Sequence, residues 1–176
     1  MGKLIFITGG SRSGKSSLAV KLAQSIRKRK IFIATCIPED EEMKRRVMLH
    51  KKSRPSSWKT IEQRDVLVPI LQKEVTADVV IIIDCLTLFV SSLLIKESKE
   101  DSIKDEVEKA VAIIKKGKAT VIIVSNEVGS GLVPDNKLGR DFRDIVGTCN
   151  QIVAGGADKV TYMVSGIPLN IKGASQ

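Results

Sequence analysis

Gly9, Gly14, Lys15 and Ser16 stand in the order G-x-x-x-x-G-K-[ST], inside the stretch KLIFITGGSRSGKSS that runs from Lys3 to Ser17. That spacing suits phosphate binding. Glycines let successive backbone N–H groups of a loop, here Gly9, Gly10, Ser11, Arg12, Ser13 and Gly14, converge on phosphate oxygens, and the positive end of a following helix adds to the attraction. Lys15 is expected to reach the β- and γ-phosphates of a nucleoside triphosphate, and the Ser16 hydroxyl to bind Mg²⁺. Further on, the unbroken apolar run Val79 to Ile83 ends in Asp84. An unpaired aspartate there would be costly to bury. At the carboxyl end of a parallel strand it would instead lie beside the phosphate loop and hold Mg²⁺, directly or through water. Together these residues predict an Mg²⁺-dependent P-loop enzyme and leave its acceptor unnamed.

His50 is the one histidine of the chain. Met43, Val47 and His50 are spaced i, i+4, i+7, so it shares the apolar face of a predicted helix, and Lys51, Lys52 and Arg54 follow directly. By spacing alone it reads as a core histidine held by a neighbour, or as a helix-end histidine favoured by the dipole. The adjoining cations open a second reading: they favour the neutral, nucleophilic imidazole and would also suit a phosphate.

The elements needed to position these groups follow from the pattern. Leu4 to Ile7 reads as a buried strand, and Leu18, Leu22, Ala23 and Ile26 recur at helical spacing from Ser16 to about Lys28. Ile31 to Ala34 is a second strand. Pro38 and the acids Glu39 to Glu42 start a helix that runs to about Lys52, because Pro55 disfavours helical geometry at Arg54. An irregular connection around Trp58, from Ser56 to Thr60, leads to a helix expected from Glu62 to Glu74. After the Val79 strand come helices over Leu86 to Ile95 and Asp101 to Lys116, a strand over Thr120 to Val124, and a long loop through Gly129, Gly131, Pro134 and Asn136. Such a loop beside a nucleotide site would serve as a lid or substrate-binding element. A helix from Gly139 to about Ala154 and strands over Lys159 to Val164 and Ile167 to Ile171 complete the chain. Strands alternating with helices predict an α/β P-loop NTPase of RecA-like type: one domain over residues 1–176, with a mainly parallel sheet and helices on both faces.

Composition narrows the class. With 176 residues and 3% aromatics, a proper core must rest on Ile, Val and Leu, which suits a parallel sheet buried on both faces. No apolar run approaches the roughly 20 residues of a membrane helix, and the N-terminal apolar run is too short for a signal peptide. The expectation is a cytoplasmic protein without a membrane span. Cys36, Cys85 and Cys149 are far apart and read as free thiols. The net charge of +9 comes without interleaved aromatics or a nucleic-acid motif, so it reads as a solvated surface that attracts anionic nucleotides, and no nucleic-acid partner is expected.

On these residues the chain resembles the bifunctional adenosylcobinamide kinase/adenosylcobinamide-phosphate guanylyltransferase family of cobalamin biosynthesis. The resemblance covers nearly the whole length: TGGSRSGKS at Thr8 to Ser16, FIATC at Phe32 to Cys36, EMKRRVMLHKKSRPSSWKTIE at Glu42 to Glu62, IDCLTL at Ile83 to Leu88, SNEVGSGLVPDNKLGRDFRDIVGTCNQ at Ser125 to Gln151, and SGIPLNIK from Ser165. The H-x-x-x-R-P-x-x-W pattern of His50, Arg54, Pro55 and Trp58 and the SNEVG stretch are its most specific parts. The resemblance implies phosphorylation of adenosylcobinamide by ATP or GTP. A guanylyl transfer from GTP to adenosylcobinamide phosphate follows, releasing pyrophosphate. It implies that His50 carries the GMP covalently. Nucleotide contacts are implied at the P-loop, Ala34, Thr35, Cys36, Lys51, Lys52, Ser53, Arg54, Glu62 and Asp84, with Mg²⁺ at Ser16 and Asp84, and the assembly implied is a homotrimer. The chain departs from the family pattern at Phe89 and Ser92, where Trp and Asn are frequent. Two rival readings remain at this point. One is a P-loop kinase of another small molecule with a structural His50; the other is a nucleotide-dependent regulatory module that uses its basic surface.

Overall fold

In the computed structural model, residues 1–36, 41, 55 and 57–173 are described. Seven strands, β1 (Lys3–Gly9), β2 (Arg29–Ala34), β3 (Lys59–Glu62), β4 (Val79–Asp84), β5 (Thr120–Val124), β6 (Lys159–Val164) and β7 (Ile167–Lys172), form one sheet in the order β3-β2-β4-β5-β1-β6-β7. Every neighbouring pair is parallel except the β6–β7 hairpin. Among the described residues five helices connect them: α1 (Lys15–Ser25), α2 (Val68–Glu74), α3 (Leu86–Ile95), α4 (Glu100–Lys116) and α5 (Lys137–Gly156).

The run of β-branched and aliphatic residues in the central strands is explained by burial on both faces. Leu4, Phe6, Ile31, Ile33, Ile81, Ile83, Val121 and Ile123 point to the face covered by α2, α3, α4 and α5. Their alternates Ile5, Ile7, Phe32, Val80, Ile82, Ile122 and Val124 point to the face carrying Ala19 and Ala23 of α1. The amphipathic pattern of α4 works as expected: Ile103, Val107, Ala110 and Ile114 are buried, and Gly117 is its C-cap.

The chain between β2 and β4 departs from the sequence reading. Residues Lys59–Glu62 form an edge strand where an irregular connection was expected, and the helix expected from Glu62 spans only Val68–Glu74. β3 is short, pairs with β2 alone, and half-buries only Ile61, opposite Ile33. A strand with one inward side chain leaves too little alternation to read. Pro69 opens α2, and the Glu106 carboxylate of α4 accepts hydrogen bonds from Leu67 N and Val68 N at 3.0 Å each. The start of α2 is thus capped from a distant helix, which no local signal announces. The helix expected over Pro38 to Lys52 lies, but for Glu41, outside the described residues.

At the far edge, Ser165 (φ 48°) and Gly166 (φ 86°) make the two-residue turn of the β6–β7 hairpin, with positive φ at both positions as the twist of such hairpins requires. Gly166 N donates to Ser13 O at 3.0 Å and so ties the turn to the loop after β1. β7 exposes Ile167, Leu169 and Ile171. Among the described residues no helix is long and apolar enough to cross a membrane.

Candidate nucleotide site

The loop from Gly9 to Gly14 leaves β1 and feeds α1. Gly9 (φ 144°) and Gly14 (φ 94°) hold conformations that side chains rarely adopt, and a Cβ on Gly9 would lie 2.4 Å from Met163 O of β6. The first glycine is therefore required by the close approach of β6, and the second by the turn into the helix. The N-cap of α1 has no side-chain hydrogen bond and the first turn holds no acid, so its positive end stays open to an anion. The hydroxyls of Thr8 and Ser13, at the two shoulders of the loop, are buried without hydrogen-bond partners.

Lys15 is 7% exposed, and its Nζ donates to Gly10 O at 2.6 Å. Burial pushes its pKa down, and Cys85 and then Asp84 partly oppose that shift. The two groups of the phosphate-binding pattern, far apart in sequence, thus act on each other in space. Register explains this. Asp84 alternates with Val80 and Ile82, whose side chains face α1, so its carboxylate falls on the side of the sheet from which Lys15 enters.

The edge of the sheet that carries these groups is fixed by hydroxyls. Thr35, 1% exposed, bridges the ends of β2 and β4: its Oγ1 accepts from Cys85 N and donates to Cys85 O, each at 2.7 Å, while its own N–H donates to Asp84 O at 3.2 Å. At the end of the next strand, β5, Ser125 Oγ lies 3.0 Å from Thr87 Oγ1 of α3, which accepts from Asn126 N at 2.7 Å. Asn150 of α5 then donates to Asn126 O at 3.1 Å. Glu127 N donates to Gly9 O at 2.9 Å, and the Glu127 carboxylate accepts from Gly129 N at 2.7 Å. The buried thiol of Cys85 is pushed up to about 12 by desolvation, and that of Cys149 to about 11 for the same reason. Neither is a nucleophile at neutral pH.

Of the residues expected to meet a nucleotide, the structure brings Gly9 to Ser16, Ala34 to Cys36, Glu62 and Asp84 to one edge of the sheet. Ala34 is the registered partner of both Glu62 and Asp84. Thr35 turns its side chain away into the Cys85 hydrogen bonds. Ala34 O is taken by Gln63 N at 2.9 Å. His50, Lys51, Lys52, Ser53 and Arg54 lie outside the described residues. Sequence reasoning missed Thr35, Thr87 and Asn150 as groups that hold this edge, and it brought Ser125 to the edge without that role. The available signal was a hydroxyl placed directly after an apolar strand, as in IFIAT and VIIVS. A cleft of about 650 Å³ lined by Arg27, Lys28, Arg29, Lys30, Thr76 and Asp78 lies at the opposite, amino end of β2, away from the phosphate loop.

Comparison with known proteins agrees with this geometry. A family model described as cobinamide kinase/cobinamide phosphate guanyltransferase matches residues 5–171. The bifunctional adenosylcobalamin biosynthesis protein CobU of Salmonella typhimurium is 38% identical, over 96% of this chain and 99% of that protein. The corresponding CobP of Pseudomonas aeruginosa is 36% identical, over 95% and 96%. Among solved structures, a Pyrococcus horikoshii OT3 protein has a TM-score of 0.60 at 8% identity, covering 99% of this chain and 88% of that one. A type III secretion ATPase of pathogenic bacteria has a TM-score of 0.56 at 16% identity, covering 97% and 57%. These structural likenesses carry the fold alone, that of a RecA-like P-loop NTPase.

Proposed function

This chain belongs to the cobinamide kinase/cobinamide phosphate guanyltransferase family, and from that premise we propose how one phosphate loop serves both reactions. The enzyme phosphorylates cobinamide and transfers a guanylyl group to cobinamide phosphate, within cobalamin biosynthesis. In the first reaction an acceptor hydroxyl oxygen bonds to the γ-phosphorus of ATP or GTP and gives up its proton to solvent, as the bond to the bridging oxygen breaks and the nucleoside diphosphate leaves. The loop N–H groups and Lys15 hold the phosphates and offset the charge that collects on them.

Ser16 and Asp84 would hold Mg²⁺. They offer a hydroxyl and a carboxylate oxygen, the hard donors this ion takes, and the described residues contain no group of three His, Cys, Asp or Glu side chains that would make a closed cage. That donor set fits Mg²⁺ bound largely through nucleotide phosphates and water. When bound, the ion draws charge from the phosphate oxygens that depart.

In the second reaction His50 acts as the nucleophile. Its neutral imidazole bonds to the α-phosphorus of GTP while pyrophosphate leaves, and an oxygen of the acceptor phosphate then displaces the GMP from His50. Two steps replace one direct transfer between two anions, and Lys51, Lys52 and Arg54 offset the repulsion that remains. Ser53, Glu62 and the segment Ala34 to Cys36 complete the nucleotide contacts. The resemblance to the family also supports a homotrimer acting in the cytoplasm, and sedimentation at three times the monomer mass of 19.2 kDa tests the assembly.

The observation that best supports a catalytic nucleotide site is the loop turned by Gly9 and Gly14 into the uncapped N-terminus of α1, with the buried Lys15 Nζ held on Gly10 O at 2.6 Å. The test is incubation with Mg²⁺ and GTP labelled at the α-phosphate, for the wild type and His50→Ala, read by intact mass before and after acid. An acid-labile GMP adduct on the wild type alone is expected. No adduct, with adenosylcobinamide still phosphorylated, would leave His50 a structural residue.

A further inference from the structure

The loop between β5 and α5 begins beside the phosphate loop and is pinned at both stems. At one, Glu127 N binds Gly9 O at 2.9 Å and Gly129 N binds the Glu127 carboxylate. At the other, Asn136 caps α5 by accepting from Gly139 N at 2.7 Å, and Arg140 Nη1 holds Asp135 O at 2.6 Å and Pro134 O at 3.1 Å. A Cβ on Gly139 would stand 2.7 Å from Pro134 Cβ, so the far stem also packs closely on the helix. This frame holds out three large apolar side chains: Leu132 is 95% exposed, Val133 63%, and Leu138, in the first turn of α5, 56%.

One exposed leucine needs no explanation. Three large aliphatic side chains within seven residues, held out by stems that are themselves hydrogen-bonded, are what a recognition surface looks like. The phosphates of the nucleotide go to the loop of Gly9 to Gly14, and that loop is one hydrogen bond from this one. The other substrate is a corrinoid, a broad macrocycle edged with methyl groups and amide arms, whose reactive hydroxyl or phosphate must come to the phosphate loop.

We propose that Leu132 and Val133 form an apolar rest for the corrin ring of the acceptor, used in both reactions, with Leu138 flanking it. This inference rests on cobinamide being the acceptor. The test compares wild type with the Leu132→Ser/Val133→Ser double variant, and with Leu132→Met/Val133→Ile, in steady-state kinase assays and in GMP-adduct formation from GTP alone. The serine pair should raise KM for adenosylcobinamide about ten- to a hundredfold, the worth of two apolar side chains covered by a ligand. KM for ATP and the yield of GMP adduct should stay within about twofold, and the methionine–isoleucine pair should restore the acceptor KM. An unchanged acceptor KM in the serine pair would overturn the inference. So would a change in sedimentation behaviour, which would assign this surface to a second copy of the chain. A wild type that does not turn over adenosylcobinamide at all would instead remove the functional reading, and this inference with it.

Discussion

Thr35 offers a substitution in which shape and hydrogen bonding pull apart. Valine has nearly the volume of threonine, so Thr35→Val leaves the packing at this 1% exposed position intact. It removes the partner of Cys85 N and one of the two donors to Cys85 O, both at 2.7 Å, while Cys85 O keeps the bond from Phe89 N at 3.2 Å. A buried polar group deprived of its partner costs about 1–3 kcal/mol. Cys85 N is one such group, and with the second bond lost at Cys85 O, less the gain from an added apolar methyl, the cost comes to about 1.5–3 kcal/mol. Thr35→Ser keeps the oxygen and loses only a methyl, for about 1 kcal/mol. The order of stability should therefore be wild type, then serine, then valine, although valine is the closer match in size. Urea denaturation followed by circular dichroism would measure this, with the midpoint moving and the slope unchanged. For a chain of this length the valine variant should also melt about 3–12 °C lower. A valine variant within about 1 kcal/mol of wild type, or more stable than the serine variant, would refute the reasoning that these hydrogen bonds hold the edge of the sheet.

Lys15→Met should lower kinase kcat by about 10²–10³-fold, the usual loss when one donor to developing charge is removed. The same variant should be more stable than wild type at pH 7. The buried lysine has a pKa below 10.5, so its charged form carries a burial penalty that is fully present at neutral pH and is relieved as pH rises through the lowered pKa toward 10.5. Urea midpoints at pH 7 and pH 10 should show the advantage shrinking. Asp158 behaves oppositely. Burial raises its pKa, but hydrogen bonds from Lys115 at 2.5 Å and Leu4 N at 2.7 Å outweigh this and hold it below 3.8. Its contribution is complete above that value and is lost as pH falls through the lowered pKa. Asp158→Asn should therefore cost stability at pH 6 and flatten the decline below pH 4. Finally, a thiol reagent at pH 8 should label one cysteine per native chain, the half-buried Cys36, and all three after denaturation, because Cys85 and Cys149 are buried with raised pKa values.

The features legible in the sequence were those encoded locally. The phosphate loop needs glycines at fixed offsets, β4 is an unbroken apolar run ending in Asp84, and α4 repeats its apolar residues every three to four positions. Each can be read from a window shorter than twenty residues. β3 escaped because its one half-buried residue, Ile61, takes its meaning from Ile33 on β2. The late start of α2 escaped because its cap, Glu106, comes from a helix 38 residues on. The network of Thr35, Thr87, Ser125 and Asn150 was hidden for the same reason. Each of these residues is an ordinary polar side chain until the topology sets the strand ends side by side. His50 differs again: spacing put it on an apolar face, and only the resemblance assigned it chemistry.

The place of β1 in the sheet bears on how the protein comes into being. β1 pairs only with β5 and β6, and Leu4 N is hydrogen-bonded to Asp158, 154 residues away. During synthesis at about 5–20 residues per second, the strand that carries the phosphate loop waits on the order of ten seconds for its second neighbour to emerge. Over that interval the motif exists without the site, since Gly9 has no β6 to close against. Nucleotide therefore cannot steady the growing chain. It binds only the finished sheet and adds its stabilisation there, so that in the cell it favours completed molecules over chains still missing β6.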